Sequence, residues 1–385
     1  MARELTATRR VVLVRTLRGF ADGYVSVLLA DYLLSIHYSP LRVGLIVTGT
    51  LVGSALLTLL VGLSGQRLGP RTLLLASCGL MVATGLGFLT ITAFVPLLVI
   101  AVVGTLNPSA GDVSVFLPTE QAYLAGHATG ADRTRLYAIY NVGGNIAGAL
   151  GALLSSAITG RIGFLVYVSV AAVALVVYRG LPRDQPRPRG RTKPLATSRN
   201  VVLQLTALFS LDAAGGGLVV QSLLVLWLHV KFDLSTELTG AVFFATGTLS
   251  AFSQFLAPRL AKRIGLIRTM VFTHLPANGF LVLAALAPRP GLAIALLMLR
   301  AVLSQMDVPA RQAFVMAAVP PEERAAAASV TNVPRSLASA ATPALAGWLL
   351  ANGYLAAPLV IAGAAKATYD LLLLWRFHGM VLDDD

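Results

Sequence analysis

The 385-residue chain contains a single cysteine, Cys78, so neither an intramolecular disulfide nor a thiolate metal cluster can form. Charge is scarce as well. Asp, Glu, Lys and Arg make up 12% of the residues, against about a quarter in a soluble domain, which excludes an ordinary water-facing surface. Of the five histidines, His37, His127, His229 and His378 fall at segment edges and His274 stands alone in an apolar run. No metal site with ligand-like spacing is expected from them. A Gly-x-x-x-x-Gly-Lys-Ser phosphate loop is missing, and no nucleophile can be matched with a base. A nucleotide-driven pump and a membrane-embedded enzyme are therefore set aside. No cofactor is expected, and any work the chain does must draw on a gradient.

What is abundant is apolar. Hydrophobic residues reach 56% and the mean hydropathy is +0.76, the composition of an integral membrane protein. The net charge of +13 would suggest nucleic acid in a soluble protein, but a bilayer protein gathers Lys and Arg in its cytoplasmic loops, and no nucleic-acid partner is expected. Thr8-Arg9-Arg10-Val11-Val12-Leu13 has a twin-arginine look. Arg15 and Arg18 interrupt the apolar region after it and no cleavage site follows, so it reads as the flank of a first membrane span.

A helix needs about 20 residues to cross the hydrocarbon. Cutting the apolar runs at Gly, Pro and charge clusters predicts twelve spans, at 11–36, 41–62, 71–92, 95–124, 135–160, 162–178, 201–230, 238–257, 268–287, 291–316, 325–352 and 355–376. The expected organisation is a six-helix bundle over 1–178, a linker over 179–200 and a second six-helix bundle over 201–385. The stretch from Arg179 to Arg199, ends included, holds seven basic residues, Asp184 as the only acid, and four prolines. If this linker is cytoplasmic, the loops on its side hold 20 Lys and Arg and the opposite loops hold four, Arg42, Arg161, Lys231 and Arg289. Both termini are then expected in the cytoplasm.

The halves repeat each other. Pro118-Thr119-Glu120-Gln121-Ala122-Tyr123-Leu124 returns 191 residues later as Pro309-Ala310-Arg311-Gln312-Ala313-Phe314-Val315, and the same offset carries Asp132-Arg133 onto Glu323-Arg324 and Asn141-Val142 onto Asn332-Val333. The loops after the second and eighth spans also correspond: Gly62, Arg67, Gly69 and Arg71 in one, Arg263, Gly265 and Arg268 in the other. Twelve spans in two halves, a basic central loop and a Gly-x-x-x-Asp-Arg-x-Gly-x-Arg-like loop in each half resemble the major facilitator superfamily of secondary transporters, most closely its drug and metabolite efflux branch. The resemblance covers essentially the whole chain. It implies an all-α fold of two pseudo-symmetric six-helix bundles, alternating access and a multi-pass place in a plasma membrane, the bacterial inner membrane being the expected one.

Two positions depart from the pattern. The loop acid that the family places at the cytoplasmic gate is Gln66 in one copy and Lys262 in the other. The fifth span carries Gly143, Gly144, Gly148 and Gly151, resembling the glycine-rich antiporter motif, but Ala149 stands where that motif has proline. Small residues also serve close helix packing.

Ionisable side chains inside a bilayer are expensive and usually face a cavity. Thirteen fall within the predicted spans, ten of them on spans one, four, seven and ten: Arg15, Arg18, Asp22, Asp31, Asp112, Glu120, Asp212, Arg300, Asp307 and Arg311. The others are Arg335 on span eleven and Lys366 and Asp370 on span twelve. The family resemblance implies that spans one, four, seven and ten line the central cavity. Arg300, Asp307 and Arg311 fall on one helical stripe; Arg18 with Asp22, and Lys366 with Asp370, are four apart and could neutralise each other.

The expected roles follow. Asp22 is the first choice for proton or cation coupling, followed by Asp212, whose neighbours Gly215, Gly216 and Gly217 suggest a bend, and by Asp112. Arg18, Asp31, Arg300 and Asp307 are expected to border a small-molecule substrate. Glu120, Arg311, Arg335, Lys366 and Asp370 are expected in a cytoplasmic charge network, in which Glu120 and Arg311 could pair between halves as a gate or pair each within its own half. The expected activity is proton-coupled export by a monomer. The alternatives are uptake or facilitated passage of a small organic anion, and a non-transporting receptor or assembly partner.

Overall fold

A computed structural model describes residues 2–64, 69–109, 116–125, 130–182, 198–320 and 323–378. Among them every regular element is helical. The first half contains α1 (Ala2–Ser35), α2 (Pro40–Ser64), α3 (Pro70–Thr90), α4 (Phe94–Val103), α5 (Phe116–Ala125), α6 (Gly130–Leu154) and α7 (Phe164–Arg179). The second contains α8 (Arg199–Gly217), α9 (Gln221–Phe232), α10 (Thr236–Ile264), α11 (Leu266–Leu286), α12 (Pro290–Ser304), α13 (Asp307–Ala317), α14 (Arg324–Ala341), α15 (Pro343–Ala351) and α16 (Ala357–Phe377). Four predicted spans are each built from two consecutive helices, α4 with α5, α8 with α9, α12 with α13 and α14 with α15, so these elements fill the twelve predicted segments. Among the described residues, seven segments are long and apolar enough to cross a membrane by length and composition alone, and α10 makes an eighth if its 45° bend is counted as one span. Side chains such as Trp375, 74% exposed, and Val95, 66% exposed, form the apolar outer surface that a lipid solvent requires.

The breaks in the helices have local causes. Helix α8 stops at the Gly215-Gly216-Gly217 run, where a Cβ on Gly217 would fall on the Ser339 carbonyl and the Thr342 hydroxyl of the neighbouring span. Pro343 opens α15, and a proline has no N–H to give to the carbonyl four residues earlier, so α14 ends before it. The bend in α10 falls between Gln254 and Leu256; Pro258 cannot donate to the carbonyl of residue 254. After α4 the loosened backbone is met by side chains: Thr84 Oγ1 accepts from Thr105 N at 3.3 Å, and Asn107 Oδ1 accepts from Ser109 N at 3.1 Å. Such satisfaction is the condition for irregular backbone at membrane depth.

Within the first half, α1 lies along α6 with the backbones almost touching. A Cβ on Gly19 would land on the Gly144 carbonyl, one on Gly23 on the Gly148 carbonyl, and one on Gly151 on the Phe20 carbonyl. The glycines that resembled an antiporter motif thus serve a small-residue helix contact.

Between the halves, α1 meets α9, α2 meets α14 and α15, and α6 meets α10. Ser222 Oγ donates to Ser26 O at 2.7 Å and lies 3.2 Å from Pro108 O. Thr236 Oγ1 donates to Asp31 Oδ1 at 2.8 Å, and Thr48 Oγ1 accepts from Ala344 N at 2.9 Å. Gly44 and Gly347 face each other closely enough that a Cβ on Gly44 would stand 2.6 Å from Pro343 O. These ties gather towards the end of the bundle remote from the chain termini.

Candidate functional site

Asp212, on α8 one turn before the glycine break, is the hub of a buried cluster in the second half. Lys366 of α16 donates to its Oδ1 at 2.7 Å, and Arg311 of α13 donates to its Oδ2 at 3.3 Å. Arg311 also reaches Asp307 at 3.5 Å, one turn away on the same helix. His274 of α11 sets its Nε2 3.8 Å from Asp212 Oδ1 and its Nδ1 3.0 Å from Asp370 Oδ1. Asn278, one turn further along α11, donates to Asp370 Oδ2 at 3.0 Å. A carboxylate facing Nδ1 accepts a hydrogen bond from it, so the Nδ1–H tautomer fits this site and leaves Nε2 towards Asp212.

This cluster lines a cavity of about 360 Å³, within the size range of small-ligand sites. Asp212, Asp307, Arg300, Arg311, Arg335 and Lys366 line it together with His274. Ser109 and Asn145 of the first half also line it, and Val220, Leu224 and Phe243 supply an apolar stretch. Arg300 makes no hydrogen bond or ion pair with any described residue, and its Nε is buried without a partner.

The first half has its own buried cluster, of a different kind. Arg18 of α1 bonds Glu120 Oε1 at 2.6 Å, and Tyr178 donates to the same oxygen at 2.5 Å while Tyr140 donates to Oε2. The Arg18 guanidinium stacks over Phe116 at 3.8 Å from the ring centroid. Arg18 and Glu120 are 1% and 0% exposed, so the group is sealed. Asp22 is buried beside it and accepts from Asn107 Nδ2 at 3.5 Å.

Against these positions the sequence expectations divide. Asp212, Arg300, Asp307, Arg311, Arg335 and Lys366 meet at one cavity. Arg18 and Asp22 are not among the residues that line it, and Asp31 accepts a hydrogen bond from Thr236 in the ties between halves. Asp112, Gln66 and Arg67 lie outside the described residues. Of the two expectations for Glu120 and Arg311, this conformation holds the pairing of each within its own half, Glu120 with Arg18 and Arg311 with Asp212 and Asp307. Lys366 and Asp370 do not pair, because Asp212 takes the lysine and His274 with Asn278 takes the acid. Of the loop residues, Gly62 lies near the end of α2, Gly69 caps α3, Arg71 donates to Arg179 O at 3.0 Å, and Gly265 turns between α10 and α11 at φ 87°, where a side chain would be strained. Arg263 and Arg268 flank it, exposed.

His274 is the functional candidate that sequence reasoning passed over. It was weighed only as a metal ligand, and a single imidazole is a poor one. The signal available was its depth: an ionisable group inside a predicted span, with Asn278 one turn away.

Two helical halves closing on a charged internal cavity, under an apolar outer surface, define a membrane transporter rather than an enzyme. The family model described as Major Facilitator Superfamily matches residues 11–299, and the chain belongs to that family. It is 25% identical over 94% of its length to the uncharacterized membrane protein YJR124C of Saccharomyces cerevisiae, of which 92% is covered. Among solved structures it is similar to a variant of the nucleoside transporter NupG, at 12% identity, TM-score 0.76, 96% of this chain and 100% of that one. It is likewise similar to a D-xylose–proton symporter, at 16% identity, TM-score 0.75, 96% of this chain and 98% of that one. At these identities the structural likeness speaks for the fold.

Proposed function

We propose that the chain is a proton-coupled secondary transporter working by alternating access, with Asp212 as the coupling carboxylate. The observation that carries this reading is the position of Asp212: in the cavity wall, shared between Lys366 and Arg311. A carboxylate held by two cations that can let go of it is suited to take up and release a proton as the halves move. His274 between Asp212 and Asp370 supplies a second titratable group and a path for that proton away from the cavity. Asp22, the sequence's first choice, has no lining position and is proposed to balance charge beside Arg18.

The ties between the halves support a specific state. With both termini in the cytoplasm of a plasma membrane, as the loop charges favour, the tied end is the outer face and the conformation is closed outward. The Ser222, Thr236 and Thr48 hydrogen bonds are then the contacts that must part for the outer side to open. The glycines of α6 are engaged in packing against α1, so they no longer favour export over uptake, and direction is left to the flux measurement.

In proteoliposomes given a pH gradient and a mixed library of small metabolites, the wild-type protein is expected to accumulate at least one compound in a gradient-dependent way, read by mass spectrometry. Asp212→Asn is expected to lose about tenfold or more of that gradient-driven accumulation while retaining exchange without a gradient. Asp22→Asn is expected to keep the gradient dependence. Undiminished gradient-driven accumulation by Asp212→Asn would remove Asp212 from the role, and accumulation of nothing by the wild type would remove the transport reading.

A further inference from the structure

Arg300 stands apart among the charges of the cavity. The described lining holds Arg300, Arg311, Arg335 and Lys366 together with the carboxylates Asp212 and Asp307. The carboxylates are already engaged, Asp212 by Lys366 and Arg311 and Asp307 by Arg311. Arg300 is left over. An arginine at membrane depth with a buried Nε that has no partner is an expensive arrangement, and a guanidinium presents donors in a planar fork that suits a carboxylate or other oxyanion.

A helix end acts in the same sense. The second helix of one broken span, α9, begins at Gln221 with no acid in its first turn, and Gln221 is among the lining residues. A helix N-terminus carries a partial positive charge, and in membrane carriers such half-helix ends are placed towards anionic groups. In the same lining, Val220, Leu224 and Phe243 offer apolar surface.

We propose that the cavity takes a small amphipathic organic anion, its anionic head at Arg300 and its apolar body along Val220, Leu224 and Phe243. The proposal rests on the cavity being the transport site and deepens that reading by naming the substrate class. It also fixes the sense of coupling. The groups facing Asp212 are Lys366 from α16, His274 from α11 and Arg311 from α13, with Arg300 from α12 and Arg335 from α14 lining the same space. A proton on Asp212 would leave Lys366 and Arg311 short of a counter-ion and strengthen the site for an anion. By reciprocity, a bound anion favours proton uptake, so proton and anion travel in the same direction.

Three ligands of nearly equal shape and different charge test the class: 2-naphthoate, 2-naphthamide and 2-naphthylmethylammonium. With the purified full chain, naphthoate is expected to raise the melting temperature and to bind measurably by titration calorimetry, with the amide and the ammonium giving neither effect. Arg300→Gln is expected to weaken naphthoate about tenfold or more, the usual scale for a lost charge-assisted contact. Asp212→Asn is expected to tighten naphthoate several-fold and to flatten the pH dependence of its binding. Binding of the ammonium, equal binding of all three, binding of none, or an unchanged naphthoate affinity in Arg300→Gln overturns the proposal. Because the readout is equilibrium binding, failure of proton coupling in the flux experiment leaves this result standing, and the reverse holds too.

Discussion

Replacing Glu120 by Gln is expected to destabilise the fold by about 3–5 kcal/mol, the scale for removing one partner of a buried ion pair. The carboxylate is fully buried and neutralises Arg18, itself 1% exposed, while accepting from Tyr140 and Tyr178. A glutamine fills the same space and still accepts a hydrogen bond. What it cannot do is balance the guanidinium, which is then charged and enclosed with Phe116 over its face. The double variant Arg18→Met with Glu120→Gln removes both charges at similar volume and is expected to recover part of the loss, since neutral replacements of a buried pair are often tolerated while buried Asp22 loses a neighbouring cation. The measurement is the melting temperature of detergent-purified protein for both single variants and the double. A Glu120→Gln loss below about 1 kcal/mol, or losses that simply add in the double, would show that the pair is not coupled. The variants also separate stability from function, because neither residue lines the cavity: protein that remains folded should bind naphthoate as the wild type does.

The second large effect concerns a methyl group. Gly23→Ala is expected to destabilise by about 2–3 kcal/mol or more, in the range for overpacking, because its Cβ would fall on the Gly148 backbone carbonyl. No side chain can rotate away to relieve that contact; α1 and α6 must separate. Gly79→Ala is the matching control. It places the same methyl on α3, where nothing lies within 4 Å, and is expected to be neutral or to stabilise by up to about 1 kcal/mol through helix propensity. Thermal melts and expression yields of the two variants read the difference directly. Equal behaviour would mean that the α1–α6 contact is looser than described.

The positions of the helices were largely legible because they depend on local properties. An apolar run of sufficient length declares a span, and Gly215-Gly216-Gly217 or Thr342-Pro343 declares where a helix gives way. The repeat centred on Glu120 and Arg311 announced two related halves. Which charges meet was not legible in the same way. Spacing placed Lys366 one turn from Asp370 and Arg18 one turn from Asp22, but a helix neighbour is only one of several candidates once other helices pack alongside. Lys366 reaches Asp212, 154 residues earlier, and Arg18 reaches Glu120, 102 residues later. Such long-range choices depend on helix rotation and packing, which one sequence does not encode in any short window. The importance of His274 was hidden for the same reason, since its two carboxylates come from α8 and α16.

The length of chain between Arg18 and Glu120 bears on how the protein enters its membrane. Synthesis delivers α1 to the bilayer well before the fourth span exists, so Arg18 must first be accommodated without the carboxylate that neutralises it in the finished fold. Until then the nearest acid on its own helix is Asp22, one turn away and therefore within reach of the guanidinium. Asp22 can act as a chaperoning counter-ion during insertion, yielding the arginine to Glu120 when that residue arrives.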